Sequence, residues 1–181
     1  MDVIEMHRRA ADHFGARIDR VGAGEWDLRT PCTEWDVRAL VDHVVGNHRR
    51  MAGLLHGRPF EAVDDEPHRT WPVVVAAVRS GFVVPGALDR TVPLPFGGEG
   101  TVTDLLLVLT ADLATHTWDL AHAVGADEAL DTDLVAALLP AIERAQPAMT
   151  ASGRFAPPLP VSDTAGPQHR LLALLGRRME S

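Results

Sequence analysis

The sequence predicts an all-α protein, an antiparallel four-helix bundle with a small irregular or β insertion and a short C-terminal extension. Three observations carry that expectation. Apolar residues recur at steps of three and four along four long segments, and strand-like alternation is confined to one stretch rich in Gly and Pro. Apolar residues make up 46% of the 181 and charged ones 23%, enough for one buried core. Residues 1–150 are expected to form the bundle and residues 151–181 an extension packed on it.

The first helix spans residues 3–22, with Ile4, His7, Ala11, Phe14, Ile18 and Val21 on its inward stripe and Gly22 and Gly24 ending it. A second helix begins in TPCTEWDV, with Thr33 as N-cap and Asp36 three residues on, an Asp variant of the capping box. Val37, Leu40, Val44, Met51 and Leu55 form its apolar face, and Gly57 and Pro59 end it. An acidic loop over residues 58–67 leads to a third stripe of Trp71, Val74, Val75, Val78 and Phe82. Residues 88–103 hold Gly and Pro between short β-prone pieces and read as a loop or small hairpin. The fourth helix runs from about Asp104 to Val124. The fifth covers Asp131 to Met149 and should kink at Pro140 unless two shorter helices meet there. FAPPLPV then reads as extended, before a short helix over Leu171–Leu175.

Composition removes several functions. A net charge of −8 leaves no basic face for nucleic acid. No apolar run approaches the roughly 18 residues of a membrane span, and MDVIEMHRR has no apolar secretory segment, so the cytoplasm is the expected compartment. One cysteine excludes an internal disulfide framework and Cys-rich zinc modules. Nine histidines against five phenylalanines direct attention to metal or proton chemistry.

The fourth helix carries the sharpest signal. At about 100° per residue, His116 lies near +40° and Asp119 near −20° from Asp112, on a line shared with Leu105, Val108 and Leu109. Buried charges on such a stripe need partners or a metal. The i, i+4 spacing lets Asp112 and His116 hold one ion from a single helix. That helix alone leaves an ordinary reading equally open, with Asp119 paired to an arginine and His116 a satisfied core histidine. His43, at the border of the second helix's apolar stripe, completes a set of two histidines and a carboxylate. Such a set keeps coordination positions open for water or substrate.

Two stretches, TPCTEWDVRALVDHVVGNHRRMAGLL (residues 30–55) and DLATHTWDLAHAVG (residues 112–125), resemble the signatures of actinobacterial relatives of the mycothiol-dependent maleylpyruvate isomerase N-terminal domain, within the DinB-like metal-binding bundles. The tail, GRFAPPLPVSD followed by HRLLALLGR, is similar to the end of the short members. The resemblance implies a divalent metal, usually zinc, whose ligands fall on His43, Asp112 and His116. The isomerase pattern has Glu-x-x-x-His where this chain has Asp112, and the full-length isomerase has a second domain for which this chain lacks the length. The resemblance therefore bears on the metal more than on maleylpyruvate as substrate.

Other residues are weighed as follows. Asp119 is a hydrogen-bond acceptor behind the site or, the favoured reading, a structural partner of Arg38. His7 is a candidate to line the site, with a core histidine favoured; Asp119 and His7 are the two candidate proton carriers. His48 and His122 fall off the inward lines and are expected in solvent. Cys32 is read as a small buried residue beneath Trp35 rather than an activated thiol, and Trp26 and Trp35 as core. With no cysteine among the ligands, a reactive thiol must come from outside, and the resemblance names mycothiol. The first reading is thus a metal-dependent thiol transferase or isomerase acting on a small electrophile, as a monomer or homodimer. A hydrolase using zinc-bound hydroxide and a non-catalytic metal- or ligand-binding module are the alternatives.

Overall fold

A computed structural model describes residues 1–61, 64, 66–153 and 156–179. The expected helical bundle is there, with a small sheet as its only strand structure among the described residues. Helix α1 covers Val3–Ile18, α2 Val37–His56 and α3 Pro67–Gly81. A hairpin of β1 (Thr91–Pro93) and β2 (Glu99–Thr101) leads straight into α4 (Val102–Ala123), followed by α5 (Thr132–Ala151) and α6 (Pro167–Leu174).

The caps explain where the boundaries differ from expectation. α2 is capped by Asp36, whose carboxylate accepts from the Ala39 N–H at 2.8 Å, so Thr33 lies outside the helix. α4 starts two residues early because Thr101 and Asp104 form a reciprocal capping box at the end of β2. α1 stops at Ile18, and Ile4 is on its outer side, 36% exposed. α5 runs unbroken through Pro140 and Pro147. Both prolines lie on its exposed side, where water can satisfy the carbonyls they leave unpaired.

α1 packs on α4 and α2 on α3, with α2 also against α4. Phe14, Leu40, Val44, Val74, Leu106 and Leu113 are buried between them. The α2–α3 contact is close because Gly81 is bare: a Cβ there would stand 2.6 Å from Leu55 Cβ. The hairpin pairs Thr91 with Thr101 and Val92 with Gly100, and Val92 points into the core. α6 packs on α5 and buries Leu171 and Leu172. It ends at Gly176, whose left-handed φ of 78° turns the chain so that the Arg177 N–H reaches back to the Leu172 carbonyl at 2.8 Å.

One histidine is displaced from its expected surroundings and another is not. His48 is not in solvent but fully buried; its Nδ1–H donates to the Val44 carbonyl at 2.8 Å, and its Nε2 lies 3.1 Å from His7 Nε2. α2 is buried over a broader face than its apolar stripe suggests, because His48 reaches α1 while its neighbours face α3 and α4. His122 is exposed, as expected, and bonds Glu128 at 2.8 Å.

Candidate metal centre

α4 is buried along much of its length, and its polar side chains must find partners inside the protein. Thr110, Thr115 and Thr117 do so locally, each hydroxyl donating to the carbonyl four residues back. Asp112, His116 and Asp119 instead turn toward α2 and the residues after α6.

Asp112 lies between the two histidines. Its Oδ1 lies 3.3 Å from His116 Nε2 and its Oδ2 3.4 Å from His43 Nε2. Donor atoms at about 2.0–2.2 Å from a tetrahedral metal stand about 3.3–3.6 Å apart. The two separations are of that size, one to each oxygen of Asp112, and the donor atoms of all three residues lie within 4.8 Å of one another. Two imidazoles and one carboxylate suit a zinc-like divalent ion. The residues present therefore fit the metal.

The surroundings orient these groups. His116 Nδ1–H donates to Asp119 Oδ2 at 2.9 Å, which leaves its Nε2 toward Asp112. Asn47 Nδ2–H donates to His43 Nε2 at 2.9 Å and to Asp112 Oδ2 at 3.1 Å, so the His43 lone pair faces the centre. Trp35 packs 4.5 Å from the His43 ring and 5.7 Å from that of His116. Burial alone would raise Asp112, but the His116 and His43 imidazoles outweigh it and hold the carboxyl well below its ordinary value. Burial would likewise lower His116, yet Asp112 and Asp119 together hold it well above the usual imidazole range.

Asp119 is fully buried. It does not meet Arg38, which pairs with Glu66 at 2.9 Å and lies over Trp26. Its partner is Arg177, whose Nε and Nη2 donate to its two oxygens at 3.1 and 2.8 Å. Arg177 Nη2 also donates to Cys32 Sγ at 2.8 Å. Cys32 is therefore half-buried in the wall of the site rather than packed away under Trp35. Cys32, His116 and Asp119 form a second group within 4.8 Å, but the Arg177 guanidinium already supplies the positive charge there. His7 lies apart from this centre, bonded to His48 and edge-on to Phe82.

His43, Asp112 and His116 open into a cavity of about 700 Å³ between α2, α4, the hairpin and the chain after α6. Its walls are largely apolar, with Arg50 and Arg177 as its two cations. Arg177 and Asn47 were missed in the sequence. The Gly-Arg pair after an apolar helix and the four-residue step from His43 to Asn47 were the available signals.

The family profile of the mycothiol maleylpyruvate isomerase N-terminal domain matches residues 7–121, a stretch that holds His43, Asp112, His116 and Asp119. The chain belongs to that family. Arg177 and the rest of the C-terminal segment lie outside the stretch that the family domain covers. Uncharacterised proteins from two strains of Mycobacterium tuberculosis are each 33% identical over 181 residues, covering 98% of both chains. A 77-residue stretch is 39% identical to part of the arginine decarboxylase proenzyme of Aeropyrum pernix, covering 42% of this chain and 54% of that one. No solved structure gave a significant match. No helix among the described residues is long and apolar enough to cross a membrane.

Proposed function

We propose that this member of the mycothiol maleylpyruvate isomerase N-terminal domain family is a metal-dependent thiol transferase or isomerase. It acts with mycothiol or a similar small thiol on a small electrophile. The observation that carries the reading is the set of His43, Asp112 and His116 donors, within 4.8 Å of one another at a cavity of about 700 Å³.

A zinc-like ion, which His43, Asp112 and His116 would hold, would supply an electrophilic position that lowers the pKa of a thiol. The chain's own residues do the rest. Asp119 fixes the His116 tautomer, and Arg177 compensates the Asp119 charge. One carboxylate and two neutral imidazoles leave a net positive centre that attracts an anionic sulfur. The apolar walls, with Leu105, Val108 and Met149 among them, exclude water from the reacting groups.

The test is consumption of a bimane or maleyl electrophile with mycothiol present and absent, using metal-stripped protein as control. The reading expects turnover that needs both metal and thiol. Turnover that needs metal and ignores the thiol overturns it in favour of a hydrolase. Stoichiometric metal binding with no turnover of any electrophile assigns a binding module.

A further inference from the structure

A second hollow lies on α2, sharing one residue with the metal cavity. It is an open groove of about 620 Å³ with Gly46, Gly53 and Gly57 along the helix and Pro59 and Phe60 at one end. Arg49, Arg50 and Arg58 surround it. Gly53 makes the groove possible. A Cβ there would stand 3.1 Å from the Arg58 carbonyl and 3.5 Å from the Phe60 nitrogen, so only glycine lets the 58–60 backbone lie against the helix without displacement.

Among the described residues, no carboxylate forms an ion pair with the arginines of this groove. Several other arginines are paired: Arg8 and Arg9 with Glu5, Arg38 with Glu66, Arg79 with Asp12 and Arg177 with Asp119. Among the described residues, neither Arg49 nor Arg58 has a carboxylate partner, and the Arg49 Nε is buried with no hydrogen-bond partner. Arg50 donates only to the amide oxygen of Asn47. In the following segment Asp64 pairs with Arg69 and Glu66 with Arg38, while Glu61, next to Phe60, is exposed. Three guanidinium groups thus stand together around a hollow in a chain whose net charge is −8. Such a local concentration of positive charge attracts an anion.

We infer that this groove is a binding site for an organic phosphate. The charge count selects the class. A single carboxylate would neutralise one guanidinium of three, whereas a phosphomonoester brings about two negative charges and a diphosphate more. Guanidinium forks match phosphate oxygens in pairs. Pro59 and Phe60 offer apolar surface to the organic part. Arg50 belongs to the groove and to the metal cavity alike, so a ligand's phosphate sits at the rim of that cavity. The site needs no metal and no thiol, and it stands or falls apart from the reading given above.

The experiment is calorimetric titration of the metal-free full chain with inorganic pyrophosphate and, separately, with succinate. Pyrophosphate is expected to bind at millimolar or lower concentration, at least about tenfold more tightly than succinate. Arg49→Ala/Arg58→Ala should weaken it by at least about tenfold, and Arg58→Ala alone by a smaller factor. Arg58 is exposed, so the single variant keeps the test open if the double variant fails to fold. Arg170→Ala, whose guanidinium pairs with Glu143 on another face, should bind as the parent does. No pyrophosphate binding by about 10 mM, equal binding by the Arg58 variant, or succinate binding as tight as pyrophosphate would each overturn the inference.

Discussion

Arg177 grips both oxygens of Asp119, 58 residues earlier in the chain, with its Nε and Nη2 at 3.1 and 2.8 Å. Asp119 in turn holds His116 Nδ1 at 2.9 Å, so a residue beyond α6 sets the orientation of a proposed metal ligand on α4. Arg177→Met leaves Asp119 buried with only His116 and the Cys32 thiol as partners. Zinc affinity, read by competition with a chromophoric chelator, should fall about 10–100-fold. Unfolding free energy of the metal-free protein should fall by about 3 kcal/mol. Unchanged zinc affinity would show that Asp119 holds His116 without help from Arg177.

The ligand assignment is tested by two histidines on one helix. His116→Ala should abolish stoichiometric zinc binding in equilibrium dialysis. His122→Ala, which removes an exposed partner of Glu128, should leave it intact. Equal binding by the two variants would move the centre elsewhere.

The His7–His48 pair predicts a pH dependence. His48 donates through Nδ1 to Val44, so its Nε2 accepts from His7, and both rings are neutral. Burial pushes His48 down to about 4; burial, with the repulsion a charged His7 would meet from a protonated His48 and from Arg79, holds His7 well below its ordinary value. The unfolded chain therefore binds protons that the folded one refuses, and stability is lost as pH falls from about 6.5 toward 4. Urea unfolding of the parent and of His48→Gln at each pH isolates this contribution. The parent's advantage should grow with pH between about 4 and 6.5, by up to roughly 3 kcal/mol, and stay flat above. A constant difference across that range would refute the neutral pair.

Two helical glycines should respond in opposite directions to alanine. At Gly81 the added Cβ meets Leu55 at 2.6 Å, and α2 and α3 must separate. Gly81→Ala should cost about 1–3 kcal/mol. At Gly46 the nearest atom is Arg50 Nη1 at 3.7 Å, an ordinary contact, so Gly46→Ala should gain about 0.5–1 kcal/mol. Thermal unfolding of both variants reads the contrast.

Much of this was legible before any coordinates. Helical spacing located all six helices to within a few residues, and Gly57 and Gly125 marked two of the ends, both with left-handed φ. Asp112 and His116 could be read because one helix turn brings them together; His43 needed the family resemblance to join them. The pairing of Asp119 was not legible, since Arg38 and Arg177 are equally good partners on paper. Only the path of the chain through Gly176 decides between them. His48 was misplaced for a related reason. A stripe shows which residues face one neighbour, and α2 has neighbours on several sides.

The packing of Trp35 on His43 has a counterpart at each of the other indoles. Trp26 lies 5.2 Å from His68, Trp71 4.7 Å from His48 and Trp118 5.1 Å from His122. The chain has four tryptophans and no tyrosine. Its ultraviolet emission therefore comes entirely from rings in contact with an imidazole, and a charged imidazole quenches an excited indole. The molecule carries its own optical readout. Changes at His43 dim or brighten Trp35, acid entry at the buried pair is written on Trp71, and Trp35→Phe separates the two signals without a label.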